Sequence, residues 1–239
     1  MSANAPDHSY LAINWSDIRQ RVDGACRAAG REPSEVSILP VSKTFGAEVI
    51  RAAVALGLHR FGENKVQEIR DKSGPLADCG IDWVVIGHLQ TNKAKDVARL
   101  VSEVQSLDRL ELAEALHRRL QVEGRAIDVL VQVKTASEES KYGLPPDQLL
   151  GFLDHLRGFD TLRVRGLMTL ATQSTDPEEV RGCFRLLREW RDRAAAQGHV
   201  LPRLSMGMSG DFPLAIAEGA TEVRIGTAVF GQRTIRTDA

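Results

Sequence analysis

Cysteine is scarce in this chain, with only Cys26, Cys79 and Cys183, far apart and odd in number. That rules against a disulfide framework, and their spacing offers no cysteine-built metal site. A reducing cytoplasm is the simplest expectation. Neither sign of charge is in excess, since 31 lysines and arginines meet 32 aspartates and glutamates for a net charge of −1. Such a balance leaves no electrostatic footprint for nucleic acid or an anionic membrane, so any anion has to be held by a local site. No apolar run reaches the roughly 18 residues of a membrane span, and the opening MSANAPDHSY lacks the basic and apolar regions of a signal peptide. The GxGxxG fingerprint, the Walker lysine loop, the nucleophile elbow and any paired-carboxylate signature are all missing. Aromatics make up only 5% and none interleaves with Lys93, Lys95 and Arg99, which therefore read as a solvated helix face. His88 has no second histidine at helical spacing, so it reads as a structural residue and no metal is expected.

What the chain does have is alternation. With 43% hydrophobic and 26% charged residues it is an ordinary globular composition. Apolar strand candidates fall at 38–41, 60–64, 83–87, 103–108, 127–133, 164–170, 203–209 and 222–231. Helical spacing fills the gaps. Trp15, Ile18, Val22, Cys26 and Ala29 form a first helix closed by Gly30, and Val49, Ile50, Ala53 and Leu56 a second that stops at Gly57. Asp108 and Glu111 read as a capping box opening the helix of Leu112, Leu116 and Leu120. Asp176 before Pro177 opens the longest helix, which ends at Gly198. Strict strand–helix alternation predicts an α/β fold, a single (β/α)₈ TIM barrel over residues 11–233 with an additional N-terminal helix, flanked by tails at 1–10 and 234–239. A doubly wound open sheet is the competing architecture, because periodicity does not distinguish closure from an open edge.

The first strand carries the sharpest signal. Residues 38–45, ILPVSKTF, run apolar and then stop at Lys43. In parallel α/β folds the carboxyl ends of strands face the ligand, where a lysine can be desolvated and attack a carbonyl. The same pattern also fits a lysine snorkelling from a strand end. Near the C-terminus, SMGMSGD offers Ser205, Gly207, Ser209 and Gly210, and RIGTAVFG offers Gly226 and Thr227. Loops after strands seven and eight often bind phosphate, although serine and glycine also simply make turns. Arg224 lies on the last strand two residues after Glu222, so it is either half of an internal ion pair or the partner of a bound acceptor. Arginine is one of the two usual partners of the pyridine nitrogen of pyridoxal phosphate, and it leaves that nitrogen unprotonated. Asn64 suits a ring oxygen or a helix cap equally.

The stretches VSKTF at 41–45, FGENKVQE at 61–68, IGHLQTNK at 86–93, SKYGL at 140–144, RGLMTL at 165–170, LSMGMSGD at 204–211 and VRIGTAVFG at 223–231 resemble, in order, the pyridoxal phosphate homeostasis protein family. The resemblance runs from about residue 11 to 233, and its fold is similar to the N-terminal barrel of alanine racemase. It implies that Lys43 carries pyridoxal 5′-phosphate as a Schiff base, that Ser205, Gly226 and Thr227 hold the phosphate with Ser209 a weaker candidate, that Arg224 faces the pyridine nitrogen and that Asn64 lies beside the ring. Lys141 matches a lysine linked in the family to cofactor handling, without an assigned contact. Phe45 departs from the pattern, because many relatives carry a second lysine there.

Two functions follow from that resemblance. One is a monomeric, cytoplasmic carrier that buffers pyridoxal phosphate or delivers it to dependent apoenzymes, without catalytic turnover. The other is a weak racemase-like enzyme with Lys43 as one base. Inversion needs a proton donor on each face of the substrate. The only tyrosines are Tyr10, expected in the tail, and Tyr142, and the chain leaves no room after its eighth strand for the domain that supplies a racemase's second tyrosine.

Overall fold

The structure, a computed structural model, describes residues 8–138 and 141–232. Residues 1–7 of the expected N-terminal tail at 1–10, the whole expected tail at 234–239, and Ser140 of the SKYGL motif lie outside the described residues. All eight expected strands are present: β1 Ser37–Pro40, β2 Arg60–Glu63, β3 Asp82–Val85, β4 Glu103–Leu107, β5 Ile127–Gln132, β6 Leu162–Met168, β7 Arg203–Ser205 and β8 Glu222–Ile225. Their order is β1-β8-β7-β6-β5-β4-β3-β2, and every pairing is parallel. The helices are α1 Tyr10–Ala28, α2 Ala47–Ala55, α3 Val66–Ser73, α4 Ala94–Leu100, α5 Leu110–Glu123, α6 Leu149–Leu156, α7 Pro177–Ala196, α8 Phe212–Ala217 and α9 Thr227–Phe230.

Closure between β1 and β2 rests on one bridge, Val41 to Gly62, with the Ser42 N–H donating to the Gly62 carbonyl at 3.0 Å. The reason is chemical. The Val41 N–H faces β8, donating to Ile225, and Ser42 faces β2, so alternation puts the Pro40 nitrogen on the β2 side, where it has no proton to give. The barrel is therefore nearly closed rather than evenly laced, and the open-sheet alternative falls.

The apolar core lies between strands and helices, where Ile18 of α1, Ile50 of α2, Phe61 of β2, Leu116 of α5 and Phe184 of α7 are fully buried in one cluster. The barrel's amino-terminal floor is polar instead. Arg60, Glu103, Arg203 and Glu222 are each the first residue of a strand. Arg60 bonds Glu222 at 2.6 Å and Glu103 at 2.9 Å, and Arg203 bonds Glu103 at 2.7 Å and Glu222 at 2.8 Å. Gln105 Nε2 donates to both carboxylates and ties them into one network. Burial depresses Arg60 and Arg203, but the two glutamates outweigh it and raise both guanidiniums.

Several local expectations are corrected. Asp108 makes no capping box: Arg109 occupies the cap position of α5 without a side-chain cap, while Asp108 pairs with Arg109 and faces His88 at 3.6 Å. The apolar run after Ile225 is not strand but α9, which packs against α1, with Asn14 Nδ2 donating to the Val229 carbonyl at 3.1 Å. Strand β7 ends at Ser205 rather than 209, and Tyr10 opens α1 instead of lying in a tail. By contrast, Asp176 caps α7 as expected, accepting from the Glu178 N–H at 2.9 Å ahead of Pro177. Among the described residues no helix is long and apolar enough to cross a membrane.

Candidate functional site

The carboxyl ends of the strands surround a cavity of about 570 Å³. Lys43, Asn64, Arg224, Gly226 and Thr227 all line it, each brought there from the end of β1, β2 or β8. Ser209, Gly210 and Lys141 also line it.

Lys43 is half-buried at the corner of a turn in which the Phe45 N–H donates to the Ser42 carbonyl at 3.1 Å. The next residue, Thr44, has φ +72°. Under this turn lies a buried cluster. Lys72 bonds Glu63 at 2.7 Å, Glu68 at 3.1 Å and the Ser42 carbonyl at 3.1 Å, and the Ser42 hydroxyl donates to Glu63 at 2.6 Å. Burial pushes the Glu63 carboxyl up, with Lys72 and Ser42 only partly opposing it. Burial alone would raise Glu68 as well, but the Thr44 N–H and Lys72 outweigh it and hold that carboxyl below its ordinary range.

Arg224 lines the cavity from β8, the strand paired with β1. Its guanidinium donates to Ser205 Oγ at 2.8 Å and to the Thr169 carbonyl at 2.7 Å, and it is almost wholly buried. The expected ion-pair alternative is not realised: Glu222 spends its oxygens on Arg60, Arg203 and Gln105. Among the described residues no carboxylate lies within 4.0 Å of Arg224. Burial pushes it down to about 10, with Glu222 and Asp211 opposing from a distance. A buried cation that borders a cavity and lacks a counter-charge is a standing demand for an acceptor.

Ser205 is placed differently from expectation. Its hydroxyl is fully buried, donates toward Gln105 at 2.7 Å and accepts from Arg224, and it does not reach the cavity. It therefore orients Arg224. Gly207 is likewise a packing residue: it has φ +94°, and a Cβ there would stand 2.6 Å from that of Ala215. Asn64 makes no cap for α3, whose N-cap is Lys65 without a side-chain bond. Its backbone is met so closely by Gly87 that a Cβ on Gly87 would lie 2.3 Å from the Asn64 carbonyl oxygen. His88 lines the cavity stacked on Tyr142, with ring centres 3.9 Å apart and planes 18° from parallel. Phe45 fills its side of the wall against Phe230, at 5.2 Å between centroids. Gln132 and Gln173 are lining residues that sequence reasoning missed. Gln132 lay within the apolar run of β5, where inward alternation was the available signal, whereas Gln173 sits in a loop with none.

The donor set is coherent: a primary amine on one wall, an uncompensated guanidinium on another, and an amide and hydroxyls around the rim. Such a set fits a small molecule with an aldehyde, a ring acceptor and an anionic group.

The barrel and its lysine-bearing strand end define the class to which this chain is assigned, for residues 13–234 match the family model described as alanine racemase, N-terminal domain. Within that class the chain belongs to the pyridoxal phosphate homeostasis protein family. It is 43% identical over 219 residues to the pyridoxal phosphate homeostasis protein of Aquifex aeolicus, covering 91% of this chain and 96% of the relative. With that of Pseudomonas aeruginosa it shares 39% over 225 residues, 94% of this chain and 96% of the relative. The structure of PipY from Synechococcus elongatus PCC7942 with PLP bound superposes with a TM-score of 0.82 at 34% identity, covering 92% of this chain and all of that one.

Proposed function

We propose that this protein carries pyridoxal 5′-phosphate as a Schiff base on Lys43 and serves intracellular cofactor homeostasis, buffering the cofactor or delivering it to dependent apoenzymes as a cytoplasmic monomer. One observation carries the reading: a single cavity brings together the Lys43 amine, the Arg224 guanidinium and the Thr227 hydroxyl, residues drawn from opposite ends of the chain. Relatives named for pyridoxal phosphate homeostasis, and a PLP-bound relative of the same fold, support it. When bound, pyridoxal phosphate supplies an aldehyde that condenses reversibly with a primary amine, releasing water, and an anionic phosphate.

The chain's own groups then take distinct roles. Lys43 provides the amine. Arg224 stays protonated at neutral pH and donates to a ring nitrogen, which it cannot protonate, so the cofactor is kept a weak electron sink. Gly226 and Thr227 hold the phosphate with Ser209 from the loop after β7, and Ser205 contributes through Arg224. Asn64 flanks the ring. Thr227 is exposed, so Thr227→Val should leave the melting temperature unchanged while weakening pyridoxal phosphate binding by about tenfold, the weight of one hydrogen bond to a charged group. The spectrum of the protein before and after adding cofactor tests the whole reading. A band near the visible edge, shifted by borohydride and traced by mass spectrometry to Lys43, is expected; an adduct only on Lys141 or Lys65 refutes it.

A racemase-like reading has one observation in its favour, since Tyr142 lines the same cavity as Lys43 and stacks on His88. Tyr142 is 58% exposed, which suits a rim residue better than a proton donor held against a ring face. Loaded protein should cause no loss of optical rotation from L-alanine. Turnover of about one per second or more, lost in Lys43→Ala, would reverse the assignment in favour of an enzyme.

A further inference from the structure

The turn that presents Lys43 is strained. Among the described non-glycine residues only Thr44 has a positive φ, and it holds the third position of a turn closed by the Phe45 N–H on the Ser42 carbonyl. A turn with a single left-handed residue at that position ordinarily takes glycine, and a β-branched residue there is an outlier that needs outside support. Support comes from α3. Glu68 Oε2 accepts the Thr44 N–H at 2.6 Å, and Lys72, one helical turn on, holds Glu68 at 3.1 Å. The same ammonium reaches the carbonyl of Ser42, and Glu63 takes the Ser42 hydroxyl. Both shoulders of the Lys43 turn are thus tied to one buried cluster. None of Ser42, Thr44, Glu63, Glu68 or Lys72 lines the cavity, so the cluster acts on a ligand only through the backbone it clamps.

We propose that Glu68, braced by Lys72 and Glu63, is a positioning residue that holds Thr44 left-handed and so keeps the Lys43 amine on the cavity wall. This rests on the reading that Lys43 carries the cofactor. The full-length protein is compared with Glu68→Ala, Glu68→Gln and the double variant Glu68→Ala with Thr44→Gly, by pyridoxal phosphate titration, thermal melting and mass spectrometry of the borohydride-trapped adduct. Glu68→Ala should bind about tenfold more weakly, the scale of left-handed strain, with its adduct still on Lys43. Glu68→Gln keeps an acceptor for the same N–H and should lose less. Adding Thr44→Gly should restore affinity, because glycine takes a positive φ freely. The melting temperature should not recover in step, since the broken pair with Lys72 stays broken. That split is one that a merely stabilising role would not produce.

Unchanged binding in Glu68→Ala, a glutamine variant as weak as the alanine one, or no recovery with glycine overturns the proposal. A wild-type adduct on a lysine other than Lys43, or none at all, defeats instead the reading beneath it, whatever the Glu68 variants do.

Discussion

Lys43→Ala is expected to abolish borohydride-trappable attachment of pyridoxal phosphate and with it the absorbance band near the visible edge. The fold should not notice. Lys43 is half-buried and borders the cavity, so its loss strands no buried partner and stability should stay within about 0.5 kcal/mol of wild type. Mass spectrometry of the wild-type and Lys43→Ala proteins, each reduced and digested, reads the result directly. Retention of a trapped adduct in the variant with an unaltered spectrum would move the amine elsewhere in the cavity, where Lys141 is the other lysine.

The second large effect belongs to the opposite end of the barrel. Glu222→Ala removes a wholly buried carboxylate that bonds Arg60 at 2.6 Å and Arg203 at 2.8 Å, leaving two guanidiniums facing one remaining carboxylate, Glu103. Breaking a buried pair from one side costs about 3–5 kcal/mol, which for a chain of this size is a fall of order 10 °C in melting temperature. Burial alone would raise the Glu222 carboxyl, but Arg60 and Arg203 outweigh it and hold it below its ordinary value of 4.5. Its folded pKa being the lower one, its contribution is complete above about pH 4.5 and is lost as pH falls through the folded value. Melting temperatures measured down an acid series should therefore drop more steeply in wild type than in Glu222→Gln, which has no such proton to take up. Parallel acid limbs would show that Glu222 is not the group being titrated.

Much of this was visible in the residues themselves, for reasons that can be named. Lys43 stood out because a strand buried on both faces leaves no room for a cation until it ends. Asp176 before Pro177 was legible because cap chemistry is local, and so was the role of Gly30, Gly57 and Gly198 in closing helices, each of which has a positive φ in the structure. Choosing between Ser205 and Ser209 was not local. Which serine faces inward and which reaches the rim depends on where β7 stops, and it stops at Ser205. Asp108 misled because a capping pattern assumes a free acid, whereas this one is engaged by Arg109 and faces His88. The apolar residues of α9 read as strand since four residues are too few to display a helical period. Least legible was the clamp of Glu63, Glu68 and Lys72 on the Lys43 turn, because nothing in the sequence announces that a glutamate 24 residues on will take the amide of Thr44.

The seam at Pro40 bears on how such a carrier could let go. A stave fastened to its neighbour by a single tooth is a place for a barrel to breathe, and the chain leaving this stave runs within three residues to Lys43. Grip and slack therefore meet in one place: the amine that would anchor the cargo follows a strand joined to β2 by one bridge.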